Sequence, residues 1–91
     1  MPYRWKPNPA ITKLLGQLSA ADREDFWRVY QGLEDDPRSI FYRAMQCELD
    51  HWTDVWCAPF GHGGQLVYRI LDDSDPPELE PLHLHRPDPG D

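Results

Sequence analysis

Apolar residues recur at helical spacing near the start of the chain, as Ile11, Leu14, Leu15 and Leu18. Asn8 suits the N-cap and Pro9 the first helical position, so the pattern predicts a short amphipathic helix over Pro9–Leu18. Ser19 then caps a second helix, with Asp22 at N3 in a weak form of the capping box. Asp22, Glu24 and Asp25 fall in the first turns, where the helix dipole favours negative charge. Phe26, Val29, Tyr30 and Leu33 form the apolar stripe of this helix. It stops at Asp36, because Pro37 disfavours helical geometry in the residue before it. The two helices are predicted to form an antiparallel hairpin with a minimal turn.

Elsewhere the pattern has period two. Tyr3–Lys6 alternates aromatic with basic and reads as a short first strand, with Tyr3 and Trp5 on one face. Residues 38–54 carry no decisive pattern. Ser39–Gln46 suits a strand or a helical turn, and Glu48–Asp54 reads as a polar loop. Val55–Phe60 reads as a strand, with Pro59 pointing to an edge or an end. Gly61–Gly64 is a hairpin turn of the kind that needs positive φ. Gln65–Leu71 is the clearest strand, with Leu66, Tyr68 and Ile70 turned inward. After an acidic turn over Asp72–Glu78, Leu79–Arg86 is the last strand, with Leu82 and Leu84 toward the core and His83 and His85 facing the other way. The expected architecture is α+β in the order β-α-α-β-β-β, an antiparallel sheet covered on one face by the helical hairpin. One domain spans 1–86, and the tail 87–91 is expected to be flexible.

The composition agrees. A domain of 91 residues buries roughly 60–65% of its unfolded surface. With 40% hydrophobic residues and four Trp, the core must be rich in aromatics. The net charge of −7 argues against long-range attraction to nucleic acid, and the nine Lys and Arg are scattered. No secretory leader pattern and no apolar run of membrane-spanning length occur. The expectation is a cytoplasmic protein with no membrane contact and two reduced thiols. A Cys47–Cys57 disulfide is expected only if the chain is secreted.

Cys47, His51, Cys57 and His62 fall as C-x3-H-x5-C-x4-H, which matches no zinc module despite the ligand types. The two cysteines read better as a loop thiol and a half-buried core thiol, and no metal or cofactor is expected. Trp27 reads as helix surface or a partner contact. Trp52 and Trp56 suit a core or an interface better than base-stacking platforms in so acidic a chain.

The layout resembles the RelE/ParE superfamily, the toxin half of bacterial type II toxin–antitoxin modules. The helical hairpin ends in Leu33–Pro37 (LEDDP), much as members end theirs in Leu-x-x-x-Pro. A glycine turn precedes Gln65–Asp73 (QLVYRILDD), where members show an Arg-Leu-Val-Tyr-like strand. An acidic turn and an aliphatic strand ending in His85-Arg86 follow. The resemblance covers nearly the whole chain. It implies a toxin that inhibits bacterial growth and is held by a cognate antitoxin. Some members cleave mRNA on the ribosome; others inhibit DNA gyrase without cleaving RNA.

The ribonuclease set carries over only in part. Gln65 stands where members usually have arginine. Trp56, Ala58 and Phe60 occupy the strand that usually offers Lys or Arg on the open face. The C-terminal tyrosine of some members has no counterpart. His85 and Arg86 keep the expected chemistry, with His83 beside them. RNA cleavage through the 2′-oxygen needs a base, an acid and cations at the phosphate. An unperturbed imidazole titrates near pH 6.5, so His83 or His85 could move the proton, with Arg86 and Arg69 as phosphate forks. The plainer alternative makes both histidines solvated surface and pairs Arg69 with Asp72 or a helix acid. An mRNA endonuclease, a toxin that binds a protein target, and an interaction module without toxicity all stay open.

Overall fold

The structure is a computed structural model and describes residues 3–49 and 52–86. The elements are β1 (Arg4–Trp5), α1 (Pro9–Leu15), α2 (Ala20–Asp35), β2 (Met45–Leu49), β3 (Trp52–Phe60), β4 (Gly64–Leu71) and β5 (Glu78–His85). Among the described residues the strands form one sheet in the order β1-β5-β4-β3-β2.

Asn8 caps α1 as expected, its side chain accepting from the Ala10 and Ile11 amides at 3.0 and 3.4 Å. Its Nδ2 also donates to the Pro81 carbonyl at 2.8 Å, which ties the helix start to β5. The helix ends at Leu15 rather than Leu18, at Gly16. A glycine is a poor helix residue, and the side chain of Arg23 donates to the carbonyls at and past the helix end, those of Leu15 at 3.1 Å and Leu18 at 2.9 Å. Leu18 is buried nevertheless. Ser19 caps α2 by accepting from the Asp22 amide at 3.2 Å, and α2 buries Phe26, Val29 and Leu33.

The expected α+β layout holds, with a helical hairpin over one face of the sheet. Three details differ. Met45–Leu49 is a strand, β2, where the sequence suggests no regular element beyond Gln46, and β3 begins at Trp52 rather than Val55. Met45–Leu49 has no clean alternation. Pairing with β3 holds it extended, Met45 opposite Cys57 and Cys47 opposite Val55, with an irregularity before Leu49. Asp54 at φ +56° belongs to the same irregular stretch. Second, β1 runs parallel to β5, so the sheet is mixed. Third, Cys47 and Cys57 are joined by a disulfide, Cα–Cα 6.4 Å, against the expectation of two free thiols.

Pro59 lies in β3 inside the sheet. It pairs with Gln65 of β4, and on the other side the register with β2 ends at Cys57, so its missing amide donor breaks no ladder bond there.

The main core lies between the hairpin and the sheet. Ile11, Leu15, Phe26 and Leu33 meet Ala58, Phe60, Leu66, Tyr68, Leu79 and Leu84. Burying each large side chain contributes about 1.5–3 kcal/mol. The aromatic expectation is met. Trp5 stacks on Tyr30 at 4.1 Å and donates from Nε1 to the Tyr30 carbonyl at 2.9 Å. Phe26 meets Phe60 edge-on at 5.3 Å. The Tyr68 hydroxyl, fully buried, donates to the Pro37 carbonyl and so links the central strand to the segment after α2. On the opposite face Val55, Cys57 and Val67 form a smaller buried cluster, with Cys47 and Leu82 packed against it.

Candidate functional site

The register of β4 and β5 decides where the expected site residues stand. Gln65 is opposite His85, Leu66 opposite Leu84 and Val67 opposite His83. The ladder then shifts, Tyr68 facing Pro81 and Arg69 facing Glu80, so Leu82 is the extra residue of a bulge. Strict alternation sends Leu82 to the main core. The bulge instead turns it to the other face, where it packs against Val55, Cys57 and Val67.

His83 and His85 are both exposed and share the face away from the helices, as expected. Arg69 does not reach them as an unpaired cation. Its Nη1 donates to Glu80 Oε1 at 3.1 Å, a cross-strand ion pair made by the bulge rather than the pairing with Asp72 or a helix acid. Arg86 donates from Nη1 to Gln17 Oε1 and so reaches back to the turn between the helices. The structure thus brings the two histidines together and engages both arginines elsewhere.

Trp56, Ala58 and Phe60 do not line this face. Ala58 and Phe60 are buried under the helices and Trp56 packs against the same core. The outward positions of β3 are Val55, Cys57 and Pro59, and the rows beside the histidines read Pro59–Gln65–His85 and Cys57–Val67–His83. These flanking positions are apolar or neutral, a poor lining for a phosphate.

A polar cluster elsewhere is not signalled by local sequence, because its members are far apart in the chain. The Tyr3 hydroxyl donates to Asp72 Oδ1, and Arg38 Nη2 donates to Asp72 Oδ2 at 2.8 Å. The Tyr3 and Arg38 bonds hold the Asp72 carboxyl below its ordinary range. The same bond to Asp72 raises the Tyr3 phenol. Its members come from three separate segments, so the cluster reads as a fastening between the residue before β1, the segment after α2 and the β4–β5 turn. Arg38 also lies over the Trp56 ring, 5.6 Å from its centroid.

The metal reading loses its ligands. Cys47 and Cys57 are joined and offer no thiolate, His62 lies 3.3 Å from Asp22 Oδ1 at the β3–β4 turn, and His51 lies outside the described residues. The side chain of Trp52 and the tail 87–91 are likewise outside them.

Apolar surface is more prominent than cationic surface. Ile40 is 90% exposed, Phe41 78% and Met45 60%. Trp27, 42% exposed, borders a groove of about 480 Å³ between the helices, lined also by Ile11, Phe26, Tyr30 and Pro81. Its place on the helix surface matches the sequence expectation.

No family model matches the sequence, and no curated protein matches it. Among solved structures, one chain of the archaeal RelE–RelB complex from Pyrococcus horikoshii OT3 matches with a TM-score of 0.76 at 22% identity. The match covers 93% of this chain and 94% of that one. Helical hairpin, sheet and strand order together place this chain in the RelE-like fold.

Proposed function

We propose that this chain is the toxin half of a toxin–antitoxin pair and that it acts by binding a protein target, as gyrase-directed relatives do, rather than by cutting RNA. The observation that carries the reading is the match over nearly the full length to a chain of a RelE–RelB complex. An antitoxin is then its cognate partner, and the cytoplasm its place of action. The local chemistry supports binding over cleavage. Arg69 is neutralised by Glu80, Arg86 is held by Gln17, and the β3 positions beside the histidines are Cys57 and Pro59. Exposed Ile40, Phe41 and Trp27 offer the apolar and aromatic anchors that protein interfaces use.

Ribosome-dependent mRNA cleavage is the second reading, and one observation favours it. His83 and His85 stand on one exposed face, opposite Val67 and Gln65, in reach of a common ligand. Induced expression in a bacterial host separates the readings, with wild type compared to the double variant His85→Ala/Arg86→Ala and with mRNA ends mapped. Growth arrest that persists in the double variant without new mRNA ends is the expected result. Arrest that disappears along with site-specific mRNA ends would establish the nuclease. No arrest with either protein would leave an interaction module without toxicity.

A further inference from the structure

The Cys47–Cys57 disulfide joins β2, at one edge of the sheet, to its inner neighbour β3. Among the described residues β2 is an edge strand and pairs with β3 alone. In register Cys57 faces Met45 and Cys47 faces Val55, so the bridge runs diagonally across the pair. It lies on the face away from the helices, beside Val55, Val67 and Leu82. The two sulfurs differ in access, since Cys57 is 5% exposed while Cys47 is only half-buried.

Two observations separate this bridge from one that holds a fold together. It joins residues ten apart, within a strand pair whose backbone register already brings them close. Closing a loop this short removes less entropy from the unfolded chain than a long-range bridge does, about 2.7 against about 4.7 kcal/mol for a loop of roughly a hundred residues. Second, the main core lies on the other face and, among the described residues, takes no side chain from β2. The bridge therefore secures one edge strand rather than the main core.

We infer that Cys47–Cys57 is a reversible redox site that clasps β2 to the sheet, with a dithiol as its reductant. A thiolate of the dithiol attacks the more accessible Cys47 Sγ. The Cys47–Cys57 bond breaks, and Cys57 leaves as a thiolate that takes a proton from water. The second sulfur of the reductant, as its thiolate, then attacks the reductant sulfur of the mixed disulfide. Cys47 is released and protonated, and the reductant departs as a cyclic disulfide. Two electrons pass from the dithiol to the bridge. β2 then keeps only its backbone pairing, and the exposed Ile40, Phe41 and Met45 around its start gain freedom. Each time β2 then frays, a row of unpaired amides and carbonyls opens along β3.

Hydrogen exchange read by mass spectrometry, with thiol titration on the same samples, tests the clasp. Air-oxidised protein is expected to show no reactive thiol, and dithiothreitol to expose both cysteines. Reduction should speed exchange over residues 45–49 by about tenfold or more, while β4 and β5 exchange as before. Oxidised dithiothreitol should restore protection. The variant Cys47→Ser/Cys57→Ser should exchange like reduced protein, with or without reductant. Three results would overturn the inference: two reactive thiols in the oxidised protein, unchanged exchange in β2 after reduction, or loss of protection throughout the domain. Each is independent of whether the chain arrests growth.

Discussion

Arg69 and Glu80 form an ion pair at 3.1 Å across the β4–β5 ladder because a bulge advances β5 by one residue. Without the bulge Arg69 would face Pro81. The pair leaves the face of His83 and His85 without that cation. Glu80→Gln is expected to free Arg69 at a stability cost below about 1 kcal/mol, as for other half-exposed pairs. Binding of a single-stranded RNA oligonucleotide should then strengthen, with a steeper dependence on salt, by roughly one released ion. Fluorescence anisotropy across a salt series measures both. An unchanged slope would show that Arg69 takes no part in phosphate binding even when unpaired.

Tyr68 is buried at the centre of the sheet with its hydroxyl on the Pro37 carbonyl. Tyr68→Phe keeps the ring and deletes the donor. The expected loss is about 1–3 kcal/mol, because the carbonyl loses its partner. For a domain of this size each kcal/mol lowers the melting temperature by about 4–8 °C. A circular-dichroism melt of the variant checks it, and an unshifted midpoint would mean that the carbonyl finds another donor.

Asp25 of α2 accepts from the Gly61 amide in the β3–β4 turn and from Arg28. The Gly61 bond, then the Arg28 bond, hold its carboxyl below the ordinary range. A carboxylate with a depressed folded pKa stabilises the fold above its unfolded value of 3.8, and that contribution is lost as pH falls through the folded pKa. Urea midpoints measured from neutral pH into acid should therefore fall less steeply in Asp25→Asn than in wild type. Gly61 itself has φ +58°, and an added methyl would press on Asp22. Gly61→Ala should cost about 1–2 kcal/mol from backbone strain alone, read from the same urea curves.

Tyr30 sets an alkaline limit. Burial, then the charge of Glu34, push its phenol up to about 12. A raised pKa means that its stabilising effect is complete below the unfolded value of 10.0 and is lost as pH rises toward about 12. Tyr30→Phe should lose less stability across that window than wild type does. The comparison is the urea midpoint of each protein over the same alkaline series.

The parts of the fold that were legible are those set by local pattern. Asn8 and Ser19 cap the helices, the stripe from Phe26 to Leu33 is buried, and Leu66 and Tyr68 face the hairpin. What local pattern cannot carry is partner choice. β2 is a strand because β3 pairs with it, and Met45–Leu49 gives no sign of that alone. Leu82 changes face because of a bulge, which period-two reading cannot see. The same bulge selects Glu80 for Arg69. The outward face of β3 is Val55, Cys57 and Pro59, one residue out of phase with the expected Trp56, Ala58 and Phe60. The disulfide was hidden for a different reason: reasoning from compartment gives way to two cysteines that the strand pairing brings together. Both histidines stand where alternation puts them, but the cations meant to serve them do not.

β5 lies between β4 and β1, so the last of the described strands to be synthesised occupies an inner place in the sheet. Leu79 and Leu84, two fully buried core residues, arrive with it. A nascent chain that has released both helices and the first hairpin still lacks the strand on which β1 must dock. The domain therefore cannot close before β5 has emerged from the ribosome, and any partner that recognises the finished surface must wait for that strand.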